Sequence, residues 1–355
     1  MPPTKMTTKA IVYVERGKAV IQQVPIPKLR DDYILVKVNA VGINPADWKG
    51  IDFGVGDAGS RIGCDYAGVV EEVGPKVQKA FKKGDRISGM VHGCDRTQVE
   101  NGAFANYIVA KGDVQTKIPD NFSDEDAATL GISVSTVGQG LYKTLGLPFP
   151  TESTKENGLQ YILIHGGSTA TGIYGIQFAR LSGLKVIATS SPHNFDYLIS
   201  LGAEAVYDYK SPTAGSDIRT YTNNTLKLAW DCVGSGASIV ANSLSSEGGK
   251  YASIMPVNKD EVLAINPNVD GPHITLAYSI FGERFNKYIE VPPKPDEFEF
   301  AKNFWDITGK LLEEGKIKAP RTFLNRGGAG FEGILQGLNE SRANKVSGGK
   351  LVYIL

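Results

Sequence analysis

The sequence predicts an α/β chain in two parts, an irregular β domain followed by a doubly wound parallel sheet. Three observations predict it. An apolar run, Tyr161-Ile162-Leu163-Ile164, stops at Gly166-Gly167 and gives way to helical spacing at Ile173, Ile176, Phe178 and Leu181; Gly183 then closes the helix before a second run, Leu184-Lys185-Val186-Ile187-Ala188. That is a strand, a crossover helix and a strand, a βαβ unit. Beyond it, strand and helix patterns keep alternating at the spacing of right-handed crossovers, the signature of a parallel sheet. Roughly the first hundred residues instead alternate short apolar runs with turn residues, which reads as β structure.

In chain order, candidate strands of the first part are 9–14, 20–23, 33–43, 67–73, 86–89 and 103–109. After the βαβ unit, 198–201 ends a helix, and 201–209, 229–234 and 248–254 each carry a turn or strand. The apolar stretch 276–280 reads as a further buried strand, and Val291-Pro292-Pro293-Lys294-Pro295-Asp296 as the break where the chain leaves the second domain, or as a proline segment for a partner. Residues 300–314 have helical spacing with Gly315 placed to end the helix, and Gly349-Lys350-Leu351-Val352-Tyr353-Ile354-Leu355 is an apolar strand. The expected domains are 1–150 with 291–355, and 151–290.

With 355 residues, 41% hydrophobic and 21% charged, the chain is long enough for two cores. Its 38 cationic and 38 anionic residues balance, which argues against nucleic acid or an anionic membrane as the main partner. No run approaches a membrane span, and Met1-Pro2-Pro3-Thr4-Lys5 lacks a signal-peptide core, so a cytoplasmic protein is expected. Cys64, Cys94 and Cys232 form no C-x-x-C pair and are expected to be reduced thiols.

The chemistry starts at Gly166-Gly167-Ser168-Thr169-Ala170-Thr171-Gly172. Adjacent glycines before a helix N-terminus let backbone N–H groups approach a dinucleotide pyrophosphate, although the loop departs from G-x-G-x-x-G and also fits a plain glycine turn. About 20 residues further on, an Asp or Glu would grip the ribose 2′-OH of NAD. Here stands Thr189-Ser190-Ser191-Pro192-His193-Asn194, whose hydroxyl, amide and imidazole groups are able to donate to a 2′-phosphate, which favours NADPH; the alternative is a Ser-Pro turn opening a helix near Asn194. His165 ends a strand and reads as structural, and Asp231 either orients cofactor or caps a turn.

Several phrases resemble the medium-chain dehydrogenase/reductase superfamily. They are Val24-Pro25-Ile26-Pro27, the run 33–49 ending Asn44-Pro45-Ala46-Asp47-Trp48-Lys49, Gly63-Cys64-Asp65-Tyr66-Ala67-Gly68, Phe81-Lys82-Lys83-Gly84-Asp85-Arg86 and Gly102-Ala103-Phe104-Ala105-Asn106-Tyr107. The resemblance implies a GroES-like barrel as catalytic domain and a Rossmann domain for the nucleotide, with the active site in the cleft between them. Where zinc members carry a Cys, this chain has Gly42-Ile43-Asn44-Pro45, and their His-Glu pair becomes Cys64-Asp65, which cannot supply three protein ligands to a catalytic zinc. The expected metal is none. Without a Lewis acid, reduction of an activated C=C bond remains: hydride to the β-carbon, charge on the carbonyl oxygen, a proton to the α-carbon. Lys49 is the candidate donor or acid; it is otherwise a cofactor contact or an exposed loop lysine.

Within the superfamily the chain resembles the fungal trans-acting enoyl reductases that serve iterative polyketide synthases. The glycine loop, Ser190-Ser191-Pro192-His193-Asn194-Phe195-Asp196, Leu130-Gly131-Ile132-Ser133-Val134-Ser135-Thr136 and Asn344-Lys345-Val346-Ser347-Gly348-Gly349-Lys350-Leu351-Val352-Tyr353 carry the likeness. It implies NADPH contacts from Ala46, Asp47, Trp48, Lys49, Ser168, Thr169, Ala170, Thr171, Ser191, Pro192, His193, Asn194, Tyr209, Ile254, Met255, Val346 and Ser347. It implies an acyl pocket from Thr129, Leu130, Gly131, Ile132, Ser133, Val134, Ser135, Thr136, Leu276, Ala277, Tyr278, Ser279 and Ile280; small residues such as Gly131 and Ser133 would leave room for a chain. The implied substrate is an enoyl thioester on the acyl carrier protein of a polyketide synthase, and the implied state is a monomer. Two other readings use the same fold: a zinc-free quinone or enone reductase on small acceptors, and a nucleotide-binding relative without turnover.

Overall fold

In a computed structural model of the chain, which describes residues 7–152, 160–287 and 289–355, the alternation of the early sequence becomes strands with one buried face. The stretch 1–5 lies outside the described residues. β1 (Thr7–Glu15) and β2 (Lys18–Pro25) form an antiparallel ribbon. β3 (Tyr33–Gly42) is central to a second sheet, pairing antiparallel with β4 (Asp65–Val73), which in turn pairs with β5 (Arg86–Met90). Between β3 and β4 lies helix α1 (Pro45–Asp52), with proline at its first turn, where the missing N–H costs nothing. β6 (Tyr107–Lys111) pairs with β3 and β7 (Gln115–Lys117) with β5. The expected 103–109 strand thus begins later; its early residues bridge Ala10 to Ala105 and exchange backbone hydrogen bonds with Ile62, Gly63 and Ile11 without forming a strand. Short α2 (Asp124–Ala127) and α3 (Gly131–Val137) follow.

Six parallel strands come next: β8 (Tyr161–His165), β9 (Lys185–Ser190), β10 (Ala203–Asp208), β11 (Leu228–Asp231), β12 (Lys250–Ser253) and β13 (Asp270–Ile274). Their order is β10-β9-β8-β11-β12-β13, the doubly wound arrangement expected. Crossovers are α4 (Ala170–Leu181), α5 (Phe195–Ser200), α6 (Ala214–Tyr221), α7 (Ala237–Ser243) and α8 (Lys259–Ile265). Residues 162–165 are all buried, as a strand covered on both faces must be. Thr169 caps α4 by accepting from Gly172 N at 2.9 Å, and Gly183, at φ 85°, ends it. Fully buried Trp230 on β11 wedges beneath this layer. A Cβ on Gly140 or Gly175 would meet its ring at 2.4 or 2.7 Å, so both positions are glycine.

The stretch 276–280 is no strand: Ala277–Phe281 is a 3-10 turn. Its Tyr278 ring lies 4.4 Å from that of His92, and a strand would turn alternate apolar side chains away from such a packing surface. The returning segment adds β14 (Phe285–Asn286), β15 (Glu290–Val291), α9 (Pro295–Glu313), β16 (Arg321–Leu324), α10 (Gly330–Arg342) and β17 (Gly349–Ile354). Gly315 follows α9 at φ 66°, as expected. β17 pairs with β16 and with β3, so the last strand joins the first domain's sheet. Two compact units result: residues up to Ser135 with Tyr278–Leu355, and Thr136–Ala277. The division falls inside α3 and just past β13, whereas the expected boundaries were 150 and 291. The proline-rich stretch that suggested the later one instead opens α9, where Pro295 suits a first helical turn.

Replacing Trp230 by Ala is expected to cost about 3–5 kcal/mol, read as a lowered urea midpoint with the unfolding slope unchanged. A loss under about 1 kcal/mol would show that the layer collapses around the missing ring.

Candidate functional site

In the parallel-sheet unit the cofactor candidates gather along one edge, because each follows the carboxyl end of a strand. Ser168, Thr169, Ala170 and Thr171 follow β8 and open α4; Ser191, Pro192, His193 and Asn194 follow β9; Tyr209 follows β10; Ile254 and Met255 follow β12. That edge is where open parallel sheets take ligands. A Cβ on Gly172 would meet Gly166 O at 2.4 Å, so the glycines bring the helix end close behind the loop, and the first-turn N–H groups of α4 have no partner within the helix. Ser168 to Thr171 are half-buried, Pro192, His193 and Tyr209 are exposed, and Asn194 is buried. Ser190, read from the sequence only as part of the 189–194 donor loop and not as a named contact, has its hydroxyl buried at the end of β9 with no hydrogen-bond partner. These residues fit a dinucleotide.

Two residues here are structural. His165 Nδ1 lies 2.8 Å from Thr189 Oγ1, and burial pushes the imidazole below its ordinary value. Asp231 accepts from Val233 N, Gly234 N and Gly236 N at 2.8, 2.8 and 2.9 Å and from Tyr251 Oη at 3.0 Å. Of its two readings, turn cap is the one that occupies its oxygens.

In the other unit the sequence gathers a buried polar cluster around the start of α1. Asp47 Oδ2 accepts from Asn44 N at 2.8 Å, half of a capping box. Its other oxygen, like Asn44 Nδ2 and Trp48 Nε1, is buried with no partner. Desolvation is the main force on Asp47 and raises it from 3.8 to about 7; the nearby Asp65 charge adds to this, while Asn44 N–H, Cys64 and Lys350 oppose it. Asn44 Oδ1 takes a hydrogen bond from Lys350 Nζ at 2.8 Å. The same ammonium donates to Thr129 O at 3.2 Å and pairs with Asp65, 0% exposed. Asp65 Oδ1 accepts from Ile132 N at 2.6 Å.

Lys350 was not singled out from the sequence, although a lysine inside an apolar strand is a signal that a buried counter-charge exists. Gly131 also differs from expectation. It leaves no room for a substrate chain, because a Cβ there would meet Asp65 Oδ1 at 2.3 Å. Of 129–136, only Ile132 is partly exposed; Thr129, Leu130, Ser133, Val134, Ser135 and Thr136 are buried. In the second stretch Leu276 is partly exposed, and Ala277, Tyr278, Ser279 and Ile280 are buried. Tyr278 Oη stands 3.8 Å from Cys64 Sγ, with Lys287 Nζ 3.8 Å over its ring. Lys49, on α1, is half-buried, and burial lowers its ammonium from the ordinary value. It has no carboxylate partner among the described residues, and its Nζ lies 5.7 Å from the Trp48 ring. Ala46 and Val346 are half-buried and Ser347 is exposed.

The zinc positions do not fit a metal. Asn44 is no anionic ligand, and Asp65 is committed to Lys350 and Ile132 N. Burial, reinforced by the Asp47 charge, drives the Cys64 thiol upward, away from the thiolate a metal needs. Among the described residues no group of three or more His, Cys, Asp or Glu is placed to hold an ion, and no helix is long and apolar enough to cross a membrane.

A carboxyl whose native value lies above its unfolded one binds more protons when folded. Asp47 therefore contributes stability below about pH 4 that is lost as pH rises through about 7. Asp47→Asn keeps an acceptor for Asn44 N and removes that titration. Between pH 5 and 8 the wild type is expected to lose on the order of 2 kcal/mol relative to this variant in urea unfolding. A constant difference would mean that the carboxyl titrates normally.

Comparison with known proteins gives the family and the fold. The alcohol dehydrogenase GroES-like domain profile matches residues 30–120, and the profile described as zinc-binding dehydrogenase matches 170–292. The trans-enoyl reductase ACTTS2 of Alternaria alternata is 42% identical over 98% of this chain and 99% of its own. The trans-enoyl reductase resD of Aspergillus sclerotiorum is 42% identical over 97% and 99%. A mycobacterial protein solved as a complex with NADPH shares the fold, with a TM-score of 0.72 at 20% identity over 98% of this chain and all of that one. By identity along nearly its whole length, the chain belongs to the fungal trans-enoyl reductases, within the medium-chain dehydrogenase/reductase superfamily.

Proposed function

We propose that the chain is an NADPH-dependent enoyl reductase that acts in trans on an enoyl thioester carried by the acyl carrier protein of a polyketide synthase. Relatives at 42% identity bear the name trans-enoyl reductase. From the site itself, the observation that carries the reading is Lys49: a partly desolvated ammonium with no carboxylate partner, on a helix whose neighbours fit no metal.

Bound NADPH supplies the hydride that adds to the β-carbon. The helix start at Ala170 and Thr171 and the hydroxyl of Ser168 would hold the pyrophosphate, while the Thr169 hydroxyl, donating to Gly166 O and accepting from Gly172 N, shapes the loop. Ser191, His193 and Asn194 donate to the 2′-phosphate, which a carboxylate in their place would repel. Tyr209, Ile254 and Met255 follow strands of the same sheet, and Ala46, Asp47, Trp48, Val346 and Ser347 are further cofactor contacts in this reading. As electron density moves onto the thioester oxygen, the Lys49 ammonium stabilises the enolate, and its lowered affinity for the proton suits delivery to the α-carbon. In this reading Ile132, partly exposed, contacts the acyl chain. The protein works as a monomer.

The test is loss of reduced-nicotinamide absorbance with a short enoyl-pantetheine thioester, set against a quinone. Oxidation with the thioester and not the quinone is expected, and turnover with quinone alone would replace this reading by a small-acceptor reductase. Lys49→Ala is expected to lower kcat about 100-fold or more, the scale of one acid-base group, with NADPH affinity nearly unchanged. An unaltered kcat would remove Lys49 from the chemistry. Ser191→Asp is expected to shift the NADPH-over-NADH preference in kcat/KM by about tenfold or more, the worth of one charge-assisted hydrogen bond; an unchanged ratio would place 2′-phosphate recognition elsewhere.

A further inference from the structure

The Lys350–Asp65 pair is more than a satisfied charge. Lys350 is 2% exposed and uses all three ammonium hydrogens, on Asp65, Asn44 Oδ1 and Thr129 O. These acceptors come from three separate parts of the chain: the start of α1, the start of β4 and the turn before α3. Asp65 extends the reach by accepting Ile132 N with its other oxygen.

Two glycines are required by this arrangement. A Cβ on Gly42 would meet Lys350 Cε at 3.0 Å and Ala128 O at 2.2 Å, and one on Gly131 would strike the Asp65 carboxylate. The space has been cleared on both sides of the pair. A buried ammonium needs an acceptor for each hydrogen, and the two beyond Asp65 come from Asn44 and Thr129, in separate parts of the chain. The extra bonds tie two segments together: α1, which carries Lys49, and the turn that presents Ile132.

We propose that Lys350, with Asp65, is a positioning residue that sets the start of α1, and so Lys49, at a fixed spacing from the 129–132 turn. The proposal rests on the enoyl reductase reading in giving those two segments to catalysis. No proton or electron passes through the pair. It supplies geometry, to which rate is sensitive: a shift of 1 Å costs on the order of 100-fold.

Lys350→Met alone strands Asp65 without its partner and so tests folding as much as position. The deciding variant is Asp65→Asn/Lys350→Met, neutral and close in volume. A pair serving charge balance alone predicts that this double variant recovers both melting temperature and kcat. The positioning role predicts recovery of melting temperature while kcat with enoyl-pantetheine stays about 10–100-fold down and KM for NADPH is held within about twofold. Wild-type kcat in the folded double variant would overturn the proposal.

A second measurement separates this from failure of the functional reading. Hydrogen exchange at the amides of 44–50 and 129–132 is expected to quicken about tenfold or more in the double variant, with β3 and β4 unchanged. That result decides the clamp even if the wild type reduces no thioester; unchanged exchange at both segments would overturn it.

Discussion

An ammonium taken out of water must find an acceptor for each of its hydrogens, and that demand organises the β-rich unit. Lys350 lies on β17, a strand otherwise built of apolar residues and glycine, so its side chain has no solvent to reach. Its acceptors have to be brought to it. Asp65 is delivered by the first residue of β4, Asn44 by the residue before α1 and Thr129 by the residue after α2's cap, and the sheet register fixes Asp65 against Lys350: β17 pairs with β3 at Val352 and Gly42, and β3 pairs with β4 at Gly42 and Asp65. One residue of slip in either ladder would turn the charged side chains to the opposite face. Strand pairing and charge pairing therefore specify one another.

The same cluster explains why Asp47 holds its proton up to about pH 7. A single ammonium compensates a single carboxylate, and Asp65 takes it. A second buried anion beside the first would meet desolvation and like-charge repulsion together, both of which raise Asp47, and the Asn44 N–H offsets only part of that. Cys64, directly before Asp65 in the chain, is held as a thiol for the same reason: burial first, then the Asp47 charge. A site that elsewhere in the superfamily is built around a metal is here built around one ammonium, one carboxylate and groups kept neutral by burial.

Legibility in the sequence follows from how local the determining physics is. The parallel sheet was readable because a strand buried on both faces must be a continuous apolar run and its helices must be periodic, as in 161–164 and at Ile173, Ile176 and Phe178. Gly183 and Gly315 were readable because a helix end at positive φ needs no distant partner. What was not readable depended on distant contacts. The 276–280 stretch is as apolar as a strand, but Tyr278 is drawn into a turn by His92 and Lys287, and His92 itself is pushed down to about 3 by burial in that aromatic nest. Gly131 looked like space for a substrate because only the fold reveals that a carboxylate fills it. The compact units, which divide at Ser135 and Tyr278, were not readable for the same reason: Pro292 and Pro293 mark a local break in backbone hydrogen bonding, whereas a compact unit is a property of packing.

Reduction of a thioester's double bond without a Lewis acid puts the whole burden of charge stabilisation on donors already in place. Such donors are effective only where they need not reorganise as charge appears. Lys49 is a long, flexible side chain, a poor starting point for that task. Its helix compensates: α1 begins at a residue held by Lys350, carries a buried carboxyl folded back on its own first N–H, and is tied near its end by Arg342, whose guanidinium grips Asp52 through bonds of 2.8 and 2.9 Å. Trp48 lies beside that anchor, 5.8 Å from the guanidinium. With both ends of the helix fixed, the freedom left to Lys49 is that of its own side chain alone, so the donor role we propose for it would require only that side chain to reorganise.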